Sequence, residues 1–175
     1  MTWTSDRRLA VLLLGVATGT NVPTPLLLVY RDRLEMSDAS VTAVFGVYAL
    51  GLMLALAGAG RAADRFGRRR IVLPAALGAV ATSLLFVLAA DSEPVLYAVR
   101  FLQGAASGAV FSVGSAWLVE TATRRGNPAG PRTAAVAMTA GFAVGPTYAG
   151  VIGEWGPAPL VLPYLLHAVL LVVAL

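Results

Sequence analysis

Residues 60–70 form a short basic stretch that reads Gly60-Arg61-Ala62-Ala63-Asp64-Arg65-Phe66-Gly67-Arg68-Arg69-Arg70. It contains five arginines and one acid. The runs on either side, residues 41–60 and 71–90, are almost entirely apolar. A helix of about 20 apolar residues crosses the roughly 30 Å hydrocarbon core of a bilayer. The stretch is therefore predicted to connect two membrane-spanning helices.

Apolar runs of this length recur along the chain of 175 residues, of which 58% are hydrophobic and 13% charged. Soluble domains carry about a quarter charged residues, so a lipid bilayer is the expected surrounding. The chain is predicted to be one all-α integral membrane domain over residues 1–175. Its six predicted spans lie at residues 9–29, 41–60, 71–90, 94–119, 134–153 and 159–175.

The composition also excludes several classes of function. The basic residues occupy short gaps between spans instead of a soluble surface, which argues against nucleic acid as a partner. The chain has no cysteine, and this excludes disulfides, a thiolate nucleophile and sulfur-ligated metals. We expect no metal and no cofactor.

The charges of the gaps predict how the chain is oriented. The N-terminal tail and the second and fourth gaps are rich in arginine, whereas the first, third and fifth gaps sum to −1, −2 and −1. Arginine-rich short loops stay on the cytoplasmic side. The N-terminus is therefore predicted to be cytoplasmic, in a bacterial inner membrane.

The basic stretch itself has two interpretations. In the first it is only a topology signal, because arginines at a membrane edge hold a loop in the cytoplasm. In the second its pattern matters: Gly60 and Gly67 permit tight turns, and Asp64 lies one helical turn before Arg68, so the two can form an ion pair in a short helix. Such a loop can latch one gate of a moving protein.

The pattern G-x-x-x-D-R-x-G-R-R between the second and third spans resembles the signature loop of the major facilitator superfamily of secondary transporters. The resemblance implies that Asp64 and Arg68 join a charge network with Glu120 at the cytoplasmic end of span 4. This network braces the outward-open state in the family. The loop and network residues it implies are Gly60, Asp64, Arg65, Gly67, Arg68, Arg69 and Glu120.

Span 4 carries a polar face, on which Arg100, Gln103, Gly104, Ser107, Phe111 and Gly114 share helical spacing. A charge at this depth costs about 2.5 to 3.5 kcal/mol unless it meets a partner or water. The face is predicted to line a cavity, and the alternative is that Arg100 extends outward to Glu93 or lipid headgroups. The segment also resembles the R-x-x-x-G motif of the family, whose arginine is assigned to substrate or proton coupling. That assignment covers Arg100, Gln103 and Gly104 here.

Span 5 repeats small residues at every fourth position, at Gly141, Gly145 and Ala149. This spacing lets helix backbones approach closely, and Pro146 can kink the helix. Tight packing alone explains the pattern. It also resembles the G-x-x-x-G-P-x-x-G-G motif of the family's antiporters, ending at Gly150, with Ala149 in place of one glycine. The resemblance implies efflux.

Three further residues are candidates inside the membrane. Asn21 stands beside prolines in span 1, and Tyr48 in span 2 is a cavity residue or a packed tyrosine. Both join Arg100 as candidates for substrate or proton coupling. No acidic residue lies within a predicted span, and His167 is the one group there that titrates between about pH 5 and 8. His167 is either a proton-coupling residue or a buried neutral imidazole bonded to a neighbour.

The resemblance implies secondary transport of a small organic solute by alternating access, as efflux by proton antiport. The short loops allow a three-plus-three organisation of inverted repeats, with the third gap at residues 91–93 as the boundary. The resemblance implies half of a twelve-helix fold, so the expected partners are the bilayer, the solute, and a missing C-terminal half or a second copy of the chain. One alternative is a structural or assembly membrane protein without transport. Another is a rhomboid-like intramembrane serine protease built on Ser107 and His167.

Overall fold

The computed structural model describes residues 5–175, and within them every regular element is helical. Five helical segments are long and apolar enough to cross a membrane, and a sixth apolar helix is shorter. The eight α-helices are Ser5–Asn21 (α1), Pro23–Leu34 (α2), Asp38–Phe66 (α3), Arg68–Leu88 (α4), Glu93–Ala109 (α5), Ser115–Arg124 (α6), Gly130–Trp155 (α7) and Leu162–Ala174 (α8).

Helices α1 and α2 together form span 1, which is interrupted at Val22. Pro23 cannot donate a backbone hydrogen bond, so the carbonyl of Gly19, four residues earlier, lacks its regular helical donor. The amide of Val22 reaches that carbonyl at 3.4 Å. The break therefore leaves a carbonyl near the middle of span 1 with only a weak hydrogen bond from its own backbone.

Helix α3 forms span 2 and continues through most of the basic stretch to Phe66. Gly60, one of the two glycines that would permit a tight turn, instead lies inside this helix. The chain turns only at Gly67, whose φ of 91° is one that side chains rarely permit. Helix α4, span 3, starts directly after it and ends in a 3₁₀ turn, Ala89–Asp91.

Span 4 is longer than predicted, from Glu93 to Arg124, and consists of α5, a π-helical turn and α6. The π turn, Val110–Gly114, inserts one residue into the helical register. The predicted polar face therefore does not continue unchanged beyond Ala109. Phe111 is half-buried and packs edge-to-face on Phe142 of span 5, with ring centroids 5.6 Å apart.

The predicted start of the sixth span at Pro159 is wrong. Ala158 adopts a positive φ of 49°, and the residues that follow it are not helical until Leu162. The resulting helix α8 has 13 residues, which is about 20 Å of helix. It packs mainly on span 3 and span 1.

The helices pack most extensively in two pairs, span 2 with span 4 and span 1 with span 5. Glycines explain both. A Cβ at Gly104 would overlap the carbonyl oxygen of Tyr48, and one at Gly145 would overlap the carbonyl oxygen of Thr18. Small residues thus let these backbones approach closely. Helices in a membrane rely on such packing because the hydrophobic effect does not drive their association there.

Candidate functional site: a buried polar centre

Arg100 lies inside the bundle and is only 1% exposed. Its Nη1 donates to Gln103 Oε1 at 2.7 Å and to the carbonyl of Thr20 at 3.3 Å. The guanidinium carbon lies 4.5 Å from the ring centroid of Tyr48 and 5.8 Å from that of Phe45. The side chain therefore points into the bundle, not outward to headgroups.

The buried guanidinium has no carboxylate partner among residues 5–175. The ion pairs of the described residues all lie at helix ends, and Glu93 instead accepts a hydrogen bond from the hydroxyl of Tyr97 at 2.8 Å. Arg100 Nε is buried without a hydrogen-bond partner. One amide oxygen, one carbonyl and two aromatic faces thus offset part of a charge that is costly in a membrane.

Gln103 connects this centre to the break in span 1. Its Nε2 donates to the Gly19 carbonyl at 2.8 Å, and its Oε1 accepts from Arg100. The Gly19 carbonyl is the one deprived of a regular donor by Pro23. The side chain of span 4 therefore supplies the hydrogen bond that the proline removes, and it keeps a polar carbonyl satisfied in lipid.

His167 holds the other side of the same segment of span 1 and is 3% exposed. Its Nε2 lies 2.9 Å from the Gly15 carbonyl and its Nδ1 lies 2.7 Å from Ser83 Oγ in span 3. The imidazole rests on Gly19, where a Cβ would overlap the ring. Both ring nitrogens are thus occupied by partners other than Ser107, so the protease-like dyad of Ser107 and His167 does not form.

The end of the bundle at which α3 and α6 finish carries exposed ion pairs. Arg68 Nε lies 2.8 Å from Glu120 Oε2, and the second oxygen of this carboxylate pairs with Arg124. Asp64 makes no ion pair among residues 5–175. The predicted Asp64–Arg68 pair within a short helix is wrong, because Gly67 separates the two residues into different helices. The guanidinium of Arg65 lies over the ring of Phe66 at 5.2 Å.

The other candidate residues have positions that packing explains. Gly104 approaches span 2, and Gly141 and Gly145 approach the backbone of span 1. Gly150 faces Pro25, where an added Cβ would make ordinary van der Waals contact. Pro146 stays within a continuous α7. Tyr48 and Asn21 are both half-buried, and only Tyr48 contacts the polar centre.

Sequence reasoning missed four groups of this centre: the carbonyls of Thr20 and Gly19, the hydroxyl of Ser83 and the ring of Phe45. A usable signal exists for one of them. Pro23 identifies the carbonyl four residues before it as one that lacks its helical donor, and a polar side chain on a neighbouring span is then expected to approach it. Ser83 and Phe45 give no comparable signal.

This fold and site define a polytopic α-helical membrane protein built around a buried cationic centre. The family model of the Major Facilitator Superfamily matches residues 9–175. The chain therefore belongs to the Major Facilitator Superfamily.

Individual proteins resemble part of this chain. Multidrug resistance protein MdtL of Escherichia coli O157:H7 is 36% identical over 88 residues, which is 50% of this chain and 22% of that protein. Proteins of the same name from Escherichia coli K12/DH10B and Shigella boydii serotype 18 are 35% identical over the same length and coverage. The matched stretch thus spans about a fifth of these relatives.

Proposed function

We propose that this chain is part of a secondary active transporter that exports a small organic solute by alternating access. The observation that carries the proposal is the buried guanidinium of Arg100, a charge kept inside a membrane bundle without an acidic partner among residues 5–175. Charged groups at such depth are costly and mark solute or ion pathways. Family membership and the relatives named as multidrug resistance proteins support transport and its outward direction.

Arg100 and Gln103 are the proposed contacts for the solute or for the coupling ion. Phe45 and Tyr48 of span 2 cover the guanidinium, and the Phe45 side chain is itself exposed. A movement of span 2, or a rotation of these two rings, gives a ligand access to Arg100. The aromatic faces then exchange their contact with the cation for that ligand.

Arg68 and Glu120 are the proposed cytoplasmic latch, with Asp64 available to join them in another state of the transport cycle. The pair connects the start of span 3 to the end of span 4. Because both side chains are partly exposed, the pair can open at little cost. We further propose an N-terminus on the cytoplasmic side of a bacterial inner membrane.

We also propose that export is driven by proton antiport and that the transporting unit contains a second six-helix bundle, supplied by further sequence or by a second copy. Spans 2 and 5 present exposed apolar side chains, among them Met53, Leu54, Val144 and Val151. Such faces support packing against either lipid or another bundle.

Uptake into inverted membrane vesicles tests the transport proposal. Vesicles from cells that express the coding sequence containing this chain should concentrate a fluorescent drug-like cation or neutral dye when a proton gradient, acidic inside, is imposed. Vesicles without the protein provide the background. Uptake equal to this background across a panel of dyes would contradict transport, and uptake unaffected by a protonophore would contradict proton antiport.

A further inference from the structure

The imidazole of His167 lies between three spans and takes no part in the function proposed above. Its Nε2 lies 2.9 Å from the Gly15 carbonyl of span 1, and its Nδ1 lies 2.7 Å from Ser83 Oγ of span 3. The Ser83 hydroxyl also lies 2.8 Å from the Ala79 carbonyl. These three contacts define the His167 site.

In the neutral imidazole, the contact with Gly15 fixes the tautomer. A carbonyl oxygen only accepts, so Nε2 carries the hydrogen and Nδ1 is left as an acceptor. The Ser83 hydroxyl then donates to Nδ1. The Ala79 carbonyl loses nothing essential, because its regular helical partner is the backbone amide of Ser83.

In the protonated imidazole, both ring nitrogens donate. Nε2 keeps its bond to Gly15, and Nδ1 now donates to Ser83 Oγ. The serine hydroxyl turns by rotation about its own bond and donates to the Ala79 carbonyl, which already lies within hydrogen-bonding distance. Both protonation states are therefore fully hydrogen-bonded without movement of any heavy atom.

Among residues 5–175, the surroundings of the imidazole contain no acid that would bind the proton instead. Helix α8 packs against spans 1, 3 and 5, and these and the neighbouring spans place five other titratable or cationic side chains inside the bundle. They are Tyr30, Tyr48, Arg100, Tyr148 and Tyr164. None of them makes a hydrogen bond to the imidazole among the described residues, and the acids of residues 5–175 lie at helix ends.

We propose that His167 is a proton-binding site whose occupancy strengthens the attachment of span 6 to span 1 beside the proline break. A protonated imidazole makes a charge-assisted bond to the Gly15 carbonyl, and such bonds are stronger than neutral ones. The proton thus stiffens the segment of span 1 whose other side is held by Gln103. This inference deepens the proposed proton antiport. The transport test below rests on that proposed function, whereas the NMR test of the proton site does not.

Nitrogen NMR of the imidazole tests the site without any transport. His167 is the single histidine of the chain, so its ¹⁵N signals assign themselves in protein labelled at histidine and reconstituted in lipid. Lowering the pH should convert two inequivalent ring nitrogens, one protonated and one not, into two protonated ones. The helix content, measured by circular dichroism, should stay constant over the same pH range. Persistence of the neutral tautomer at every pH at which the bundle remains folded would overturn the proposal.

One serine variant and one threonine variant distinguish the specific effect of Ser83 on His167 from the general effect of losing a buried hydroxyl. Ser83→Ala removes the acceptor for Nδ1–H and so destabilises the protonated imidazole. The midpoint of the His167 titration, followed by the ¹⁵N signals, should therefore move downward by about one pH unit or more, where one unit is about 1.4 kcal/mol. Thr82→Ala is the matched control, because the Thr82 hydroxyl is also buried and also bonds to the Ala79 carbonyl without contacting His167. Equal shifts in both variants would overturn the role of Ser83.

The pH dependence of transport tests the coupling. In Ser83→Ala the pH profile of uptake should move by the same amount and in the same direction as the NMR midpoint, and in Thr82→Ala it should not move. A shifted NMR midpoint with an unshifted transport profile would overturn the coupling. A normal titration in a protein that transports nothing would instead contradict the proposed function and leave the proton site standing.

Discussion

At the C-terminal end of span 4, Glu120 pairs with Arg68 while about a third of each side chain is exposed, at 36% and 35%. About 30 Å away on the same span, Arg100 is 1% exposed and has no acidic partner among residues 5–175. The first arrangement is inexpensive because water screens both charges. The second is costly, since a membrane interior solvates a charge poorly.

The difference between the two regions indicates a division of roles. Exposed pairs at a helix end contribute little to stability, so they can open and close during a conformational cycle. We propose that the buried and only partly compensated charge of Arg100 is retained for a ligand or a coupling ion. Gln103, besides its proposed contact with that ligand, also stabilises the bundle. Substitutions at three residues test these roles separately: the buried charge of Arg100, the stabilising hydrogen bonds of Gln103, and the ion pair of Glu120 with Arg68.

The largest effect is expected from Arg100→Met, measured as uptake into vesicles. Transport should fall at least about tenfold, because loss of one or two charge-assisted hydrogen bonds exceeds the 1.4 kcal/mol that a factor of ten represents. The free energy of unfolding should stay the same or rise, since methionine fills similar space without a buried charge. Arg100→Lys should also fail, because an ammonium cannot reproduce the planar contacts with Tyr48 and Gln103. Wild-type transport by Arg100→Met would contradict the assigned role.

An intermediate effect is expected from Gln103→Leu, measured as unfolding in mixed detergent micelles. The substitution preserves volume but removes the donor to Gly19 and the acceptor for Arg100. Loss of the interhelical bond to Gly19 and of the bond within span 4 to Arg100 should lower the free energy of unfolding by about 1 to 2 kcal/mol. An unchanged free energy would show that Gln103 does not support the break in span 1.

The smallest effect on stability is expected from Glu120→Gln in the same unfolding assay. An exposed pair contributes about 0 to 1 kcal/mol, and the remaining difference should vanish at high salt. Asp64→Asn is the matched control, because Asp64 makes no ion pair among the described residues. A loss as large as that of Gln103→Leu would show that the latch is a structural brace and contradict the division of roles.

Spacing within one helix was enough to predict the two side chains of span 4 in the buried polar centre. Arg100 and Gln103 were found because residues three apart share a face, and Glu120 was found through its resemblance to a family position. The Arg68–Glu120 pair joins two spans, so no local spacing in the sequence contains it.

The wrong predictions concern places where a helix continues further than expected, starts later than expected or changes its register. Residues 61–66 favour helix, so span 2 continues past Gly60 and stops only at Gly67. The positive φ of Ala158 delays the sixth helix, and the π turn at Val110–Gly114 has no local signature. Ser83 was missed because its partner, His167, is 84 residues away.

The central claim is that Gln103 supplies to the Gly19 carbonyl the hydrogen bond that Pro23 removes. A double-mutant cycle of unfolding free energies, with Gln103→Leu and Pro23→Ala alone and together, tests it most directly. Alanine at position 23 restores a backbone donor to Gly19, so Gln103→Leu should cost about 1 to 2 kcal/mol in the native background and clearly less in the Pro23→Ala background. An equal cost in both backgrounds would contradict the claim.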